Sequence, residues 1–248
     1  MTVRNLIGDS DGNIWISDKY SGLTKRNADG SFEFIYPDGP GSNNAFDLDF
    51  KHDRLWVATG APERPGTWNN KFLLEGFYSF IDGEWRNFTQ DTDPILLDKL
   101  FFDTPKVYID PDDKDKVYAG SFFSGFTIVK NGEIDGFYSD HNTSLGPRTE
   151  YQRSDGLSWV GVPGIGKDHN GNMWFTNSYA ARPLSVQTKS GTWKSFDLLG
   201  PNGLSTNKNL LSLMVDSQNK IWALVNRGGI VVFHPGNSIA DESDDKVR

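Results

Sequence analysis

Four histidines (His52, His141, His169 and His234), 33 carboxylates and no cysteine are the reactive groups of this 248-residue chain. Without a thiol there is no disulfide framework, no thiolate metal site and no cysteine nucleophile. Neither a Gly-x-Ser-x-Gly elbow nor a phosphate-binding P-loop occurs, so His, Asp and Glu would have to carry any reaction. Carboxylates alternate in "DSDGN" from Asp9 and in "DPDDKDK" from Asp110, as they do in calcium loops. An EF-hand loop needs a bidentate Glu at its twelfth position, and the twelfth residue from Asp9 is Tyr20. Turn formation accounts better for both runs.

What must position these residues is a repeat. "DGNIWIS" (11–17) returns as "NGNMWFT" (170–176), with weaker copies in "HDRLWVAT", "DKDKVYAG" and "SQNKIWAL". The aromatic markers Trp15, Trp56, Tyr118, Trp174 and Trp222 are spaced by 41, 62, 56 and 48 residues, near or above the ~40–50 of propeller blades. A short apolar run precedes each copy, and a second and third run follow. In the first four copies a fourth run comes after Asp-Gly, Asn-Gly or Ser-Gly, the chemistry of tight hairpins. Four short antiparallel strands per unit predict an all-β chain, a β-propeller with five readable blades. The blades fall at 3–36, 44–89, 104–138, 160–197 and 209–236, making 1–236 the propeller. The fifth stops after its third strand, and 237–248 reads as a polar tail or a linker to further sequence. Either that tail or the first residues close the ring, or the missing strand belongs to a longer parent, the reading favoured here. The Asp/Asn-Gly-x-x-Trp motif is then architecture: turn residues that tolerate a left-handed backbone, followed by aromatics that fill the wedge between blades.

Composition agrees. At 36% hydrophobic and 13% aromatic the chain can bury a core. A net charge of −8 argues against nucleic acid, whose phosphates need a basic face. No apolar stretch reaches the 18 residues of a membrane-spanning helix, which predicts no direct membrane insertion.

Strand direction sorts the connections onto two faces. Links from second to third strand, and from the fourth strand to the next blade, emerge together and hold nearly all the long irregular sequence: 37–44, 60–74, 89–104, 139–159 and 197–208. Long loops without structure of their own tend to carry function. The second-to-third links lie nearest the channel and bring cations and aromatics: Lys19, Tyr20, Arg64, Trp68, Phe123, Tyr179, Arg182 and Arg227. Guanidinium groups beside flat rings suit a glycan bearing carboxylate or phosphate. Packing of neighbouring loops against one another explains the same residues equally well. Arg148, Tyr151, Arg153 and Trp159 in the longest loop are candidates for a partner-docking rim.

The pattern D-x-x-G-N-I-W-I followed by G-L resembles the two-component-regulator propeller repeat of sensor regions of bacterial hybrid histidine kinases. The segment "NKIWALVNRGGIVVFHPGNSIADESDDKVR" is similar to the propeller-bearing component of the type IX secretion machinery. This resemblance implies export to the periplasm or outer-membrane surface, and a lipopolysaccharide-like glycan or other secretion or signalling components as partners. An enzyme would resemble the propeller lactonases, with a metal on carboxylates at the channel mouth, or the lyases that use a His with acids. Of the histidines only His141 falls in an elaborated loop, so no cluster of them assembles, although Asp18, Glu63 and Glu75 lie near the funnel. The resulting expectation is a non-catalytic, polysaccharide-binding propeller with no cofactor, no metal and no catalytic residue, and a protein-docking scaffold as the alternative.

Overall fold

The structure, a computed structural model, describes residues 3–18, 22–35, 38–60, 70–148, 158–199, 203–204 and 208–248. The chain forms two compact units, Met1–Gly41 and Ser42–Arg248.

The first unit is one sheet, β1 (Val3–Gly8), β2 (Ile14–Asp18), β3 (Gly22–Arg26) and β4 (Phe32–Ile35), joined in chain order. The second holds four more such sheets. Blade two comprises β5 (Asp47–Lys51), β6 (Arg54–Ala58), β7 (Phe77–Ile81) and β8 (Glu84–Phe88). Blade three comprises β9 (Lys106–Ile109), β10 (Lys116–Gly120), β11 (Phe126–Lys130) and β12 (Glu133–Tyr138). Blade four comprises β13 (Ile165–Lys167), β14 (Met173–Thr176), β15 (Leu184–Gln187) and β16 (Trp193–Phe196). Blade five comprises β17 (Leu210–Val215), β18 (Ile221–Val225), β19 (Gly229–His234) and β20 (Lys246–Val247). Every sheet is antiparallel in sequence order, and the fold class is the expected β-propeller. Each aromatic marker sits on the second strand of its blade. Among the described residues no helix is long and apolar enough to cross a membrane.

The core lies between blades, because a strand sends alternate side chains to opposite faces. On β14, Trp174 packs toward blade five with Ile221, Val231 and Phe233. Its neighbours Met173 and Phe175 pack toward blade three with Tyr118, Phe126 and Ile128. Between blades two and three, Trp56, Phe77 and Phe88 meet Val107, Ile109 and Val117. The first strands β5, β9, β13 and β17 run side by side in that order.

The repeated motif owes its form to one carboxylate. Asp9 Oδ1 accepts the backbone N–H groups of Asp11 and Asn13, while Oδ2 accepts Asn13 Nδ2 and the Trp15 indole at 2.9 Å. These donors hold the Asp9 pKa down to about 2, the Asn13 side chain contributing most. Asp168 repeats the arrangement for Asn170, Asn172 and Trp174, and Asp216 for Gln218, Lys220 and Trp222. The amide oxygens of Asn13 and Asn172 then accept Ala28 N and Lys189 N, tying this turn to the hairpin of the third and fourth strands. In the second acidic run Asp110 and Asp112 hold Lys167 Nζ at 2.5 and 2.8 Å. Asp110 and Asp113 of that run also accept Asp112 N and Asp115 N at 3.0 and 3.1 Å, as turn-forming aspartates do.

Two details depart from the sequence reading. The hairpins at Asp82-Gly83 and Asn131-Gly132 are two-residue turns with both residues at positive φ. Those at Gly30 and Gly191 span longer loops, closed by Asn27 N to Ser31 O and Thr188 N to Thr192 O. The segment 237–248 is also not a free tail: Lys246 and Val247 pair with His234 and Phe233 as the fourth strand of blade five. Asp244 Oδ2 accepts Asn237 N and Nδ2, folding the segment back to the sheet edge.

Candidate functional site

The loop-rich face of the second unit is organised around Asp103. It is 1% exposed, and its carboxylate accepts Lys71 N at 2.9 Å, Phe72 N at 3.1 Å and Leu73 N at 2.9 Å. Its own N–H donates to Leu73 O and its carbonyl accepts Phe122 N. One residue, by its side chain and its backbone, thus splices the link within blade two to the link within blade three. Burial pushes the carboxyl above the usual carboxylate range, while the three amides pull it back down. The preceding connection carries a short helix, α1 (Ile95–Asp98), which seats Leu96 in the core between blades two and three.

Above this splice the aromatics converge. Phe72 meets Phe102, Phe123 and Trp159 edge-on at 5.8, 5.6 and 6.0 Å, and Phe123 meets Phe102 and Trp159 at 5.2 and 5.3 Å. Arg148 is 5% exposed; its guanidinium lies 4.0 Å from the Tyr179 ring centre and 5.5 Å from that of Trp159, and Nη1 donates to Asn70 Oδ1 at 3.1 Å. Asn70 Nδ2 in turn donates to Phe122 O. Several of these residues are strained: Phe72, Leu100, Asp103 and Tyr179 have φ of 59°, 52°, 55° and 63°. Bulky side chains persist there only where the surroundings over-determine the backbone, as at binding sites. Ser124 Oγ donates to Leu100 O, and Tyr179 N to Lys208 O, which are such constraints.

Beside the cluster is a groove of about 380 Å³, walled by Lys99, Phe123, Ser124, Phe137, Asn142 and Ser158. His141, paired with Asp140 at 3.0 Å, stands at its edge. Asn142 bridges its own loop, donating to Phe137 O and accepting Ser139 N. The wall offers hydroxyls, an amide, an ammonium and the carboxylate of Asp98 around the half-buried ring of Phe137. Among the described residues no three of His, Asp and Glu are grouped to hold a metal ion.

The expected ligand and rim residues do not stay separate. Phe123 and Tyr179 share one cluster with Arg148 and Trp159, so the two sets merge. Arg148 is a packed strut between rings, which corrects its expected place on an accessible rim: burial between two aromatic faces and an Asn suits a guanidinium that must remain charged. Arg182 also needs correction. Its Nε donates to Ser195 O on β16 and its Nη2 to both oxygens of Glu242 at 3.0 and 3.1 Å, at the outer edge beside the folded-back terminal segment. Arg227 is exposed at the tip of the β18–β19 turn. Lys19, Tyr20, Arg64, Trp68, Tyr151 and Arg153 lie outside the described residues. Asp103 and Asn70 were not foreseen; a lone Asp and a lone Asn in irregular sequence carry no periodic signal. The histidines are dispersed: His52 and His169 lie in turns between first and second strands, and His234 ends β19.

Exposure limits what the Arg182–Glu242 pair contributes, since both side chains are about half in solvent. Arg182→Ala should lower stability by no more than about 1 kcal/mol, leaving the melting temperature within a few degrees of the parent in a thermal melt.

No family model matches the chain, and no curated protein matches it either. Among solved structures it is similar to PorZ, an essential bacterial surface component of the type-IX secretion system of Porphyromonas gingivalis, with a TM-score of 0.73 and 21% identity over 99% of this chain. Looser likenesses are to the extracellular domain of a two-component system of B. thetaiotaomicron (TM-score 0.40, 16% identity, 92% of this chain) and to a gluconolactonase of Xanthomonas campestris (TM-score 0.45, 12% identity, 92% of this chain and 70% of that one). The chain spans 33% of the length of each of the first two. Only the first likeness is close enough to identify a fold, and it identifies the fold alone.

Proposed function

We propose that the chain is a non-catalytic binding module of an exported protein, taking a polysaccharide, preferentially an anionic one, on the loop-rich face of its second unit. The observation that carries this reading is the groove of about 380 Å³, where hydroxyl and amide groups of Ser124, Asn142 and Ser158 surround the half-buried ring of Phe137 and Lys99 supplies a cation beside Asp98. Sugars offer an apolar ring face and a belt of hydroxyls, and this wall offers partners for both. Asp103, the buried acid of the face, is occupied by backbone amides, and Arg148 by rings and Asn70, so the strongest charges on the face act as scaffold. The likeness to a bacterial surface component supports a place outside the cytoplasm, periplasmic or at the outer-membrane surface.

A glycan array that includes acidic lipopolysaccharide fragments, run at low and raised salt, tests the reading. Binding should fall with salt, because a surface cation is screened within about 10 Å at 0.1 M. Lys99→Ala with Asn142→Ala should weaken it at least about ten-fold, the loss of one charged and one neutral hydrogen bond. A blank array from a folded sample would overturn the proposal. One observation favours a protein partner instead: Ile95 and Leu97 are 43% and 45% exposed on α1, whose last residue, Asp98, lines the same groove. In that case Leu97→Asp would abolish partner capture and leave the array unchanged.

A further inference from the structure

Three second-strand tryptophans give their indole N–H to an aspartate of the preceding turn, each at 2.9 Å: Trp15 to Asp9, Trp174 to Asp168 and Trp222 to Asp216. Blade two breaks the pattern. The residue six places before Trp56 is Phe50, and the turn is only His52-Asp53, at φ of 54° and 57°. No carboxylate arrives, and Trp56, 3% exposed, has a covered Nε1 that meets no acceptor. Trp56 is also part of the wall of a groove of about 550 Å³ between blades two and three, at the end of the unit opposite the long loops. Arg54, Ser79, Trp85, Arg86 and Asp115 are also part of that wall.

We propose that this groove is a second saccharide-binding site, distinct from the loop-rich face, in which a ligand hydroxyl supplies the acceptor that aspartate supplies to the other tryptophans. Its wall carries three cations, Arg54, Arg86 and Lys114, and three carboxylates, Asp82, Glu84 and Asp115, so it selects no net charge. Closely set donors and acceptors are what a sugar hydroxyl needs, since it gives one hydrogen bond and accepts others. The charged groups are held in place beforehand: Arg54 Nη1 meets Asp115 Oδ1 at 2.7 Å and Lys114 O at 3.1 Å, and Arg86 Nη2 meets Asp93 Oδ1 at 3.0 Å. A guanidinium has five N–H donors, so each keeps donors for a ligand. Trp85 leans on Phe80 at 5.0 Å and offers a ring against which a pyranose can lie. The volume falls in the ~300–1,000 Å³ range of small-ligand sites and points to an oligosaccharide of two or three neutral rings. Because the Trp56 N–H is covered, an oxygen reaches it only as a wall side chain swings aside.

Saturation-transfer NMR on the whole chain with cellotriose, maltotriose and chitotriose as probes tests the site. At least one should receive saturation, and Trp85→Ala should abolish it. Trp56→Phe, which removes the N–H and keeps the packing, should weaken binding about five-fold while the far-ultraviolet spectrum and melting temperature stay at or above parental values. Lys99→Ala with Asn142→Ala should leave it unchanged, which separates this site from the loop-rich face whichever of the two fails. The proposal is overturned if none of the three trisaccharides receives saturation, if transfer survives Trp85→Ala, or if Trp56→Phe binds as tightly as the parent, the last meaning that water alone satisfies the indole.

Discussion

Replacing Asp103 by alanine is expected to cost about 3–5 kcal/mol, because it leaves the part-buried amides of Lys71, Phe72 and Leu73 without their acceptor, each at the lower end of the ~1–3 kcal/mol for an unsatisfied group. In a domain of this size that corresponds to a fall in melting temperature of about 10 °C. The damage should be local before it is global. Phe72 is held at φ of 59° by this contact and touches Phe102, Phe123 and Trp159, so its release unseats the aromatic cluster. The saccharide binding proposed for the loop-rich face should therefore disappear at temperatures where the circular dichroism is still native. Asp103→Asn, which keeps one acceptor oxygen, should fall between. The pH dependence has a fixed sign: the folded carboxyl titrates above the ordinary 3.8, so the folded protein takes up this proton before the unfolded chain does. Its contribution to stability accordingly declines as pH rises from 3.8 through the raised value, and a urea titration across that window should show a slope that Asp103→Asn lacks. A parental slope unchanged in the variant would contradict the assignment.

Asp168→Ala should be nearly as costly, about 3–4 kcal/mol, and the same substitution at Asp216 far less so. Both carboxylates cap a turn and accept a tryptophan N–H. The difference is burial. Asp168 is 6% exposed and Trp174 fully enclosed, between Phe196 at 5.7 Å and Phe233 at 5.9 Å, so the orphaned indole has no water to turn to. Trp222 is 38% exposed, and solvent replaces the lost acceptor. Chemical denaturation of the two variants side by side measures the contrast; equal losses would mean that the turn, and not the indole bond, carries the energy.

What the sequence made legible was whatever repeats. Trp15, Trp56, Tyr118, Trp174 and Trp222 mark second strands because the same packing problem recurs in each blade, and the Asp-Gly and Asn-Gly hairpins are visible because only a few residues accept a left-handed backbone. The third strand after "EG" and "SG" is legible for a similar reason: a Cβ at Gly76 or Gly125 would fall 1.8 or 2.0 Å from the carbonyl oxygen of Phe88 or Tyr138. The fourth strand of blade five escaped because two residues, Lys246 and Val247, have no period to read, and their pairing rests on the Asp244 contact at a distance. The site was harder. Sequence placed Arg148 and Arg182 on the correct loops, but an arginine's reach is longer than a loop's width, so its direction is decided by the nearest partner: rings and Asn70 for one, Glu242 for the other.

Every sheet here is a meander of neighbouring strands, and within the second unit each blade packs chiefly on the next. Pairing within a blade closes neighbouring strands in chain order, while packing one blade on the next joins residues far apart in the chain, so a blade can form before its successor is available. The protein should accordingly come apart in pieces. In native-state hydrogen exchange, amides of β13–β19 should lose protection together when Asp168 is removed, while those of β5–β8 keep theirs, exposing a chain of coupled cooperative steps where a closed single core would show one.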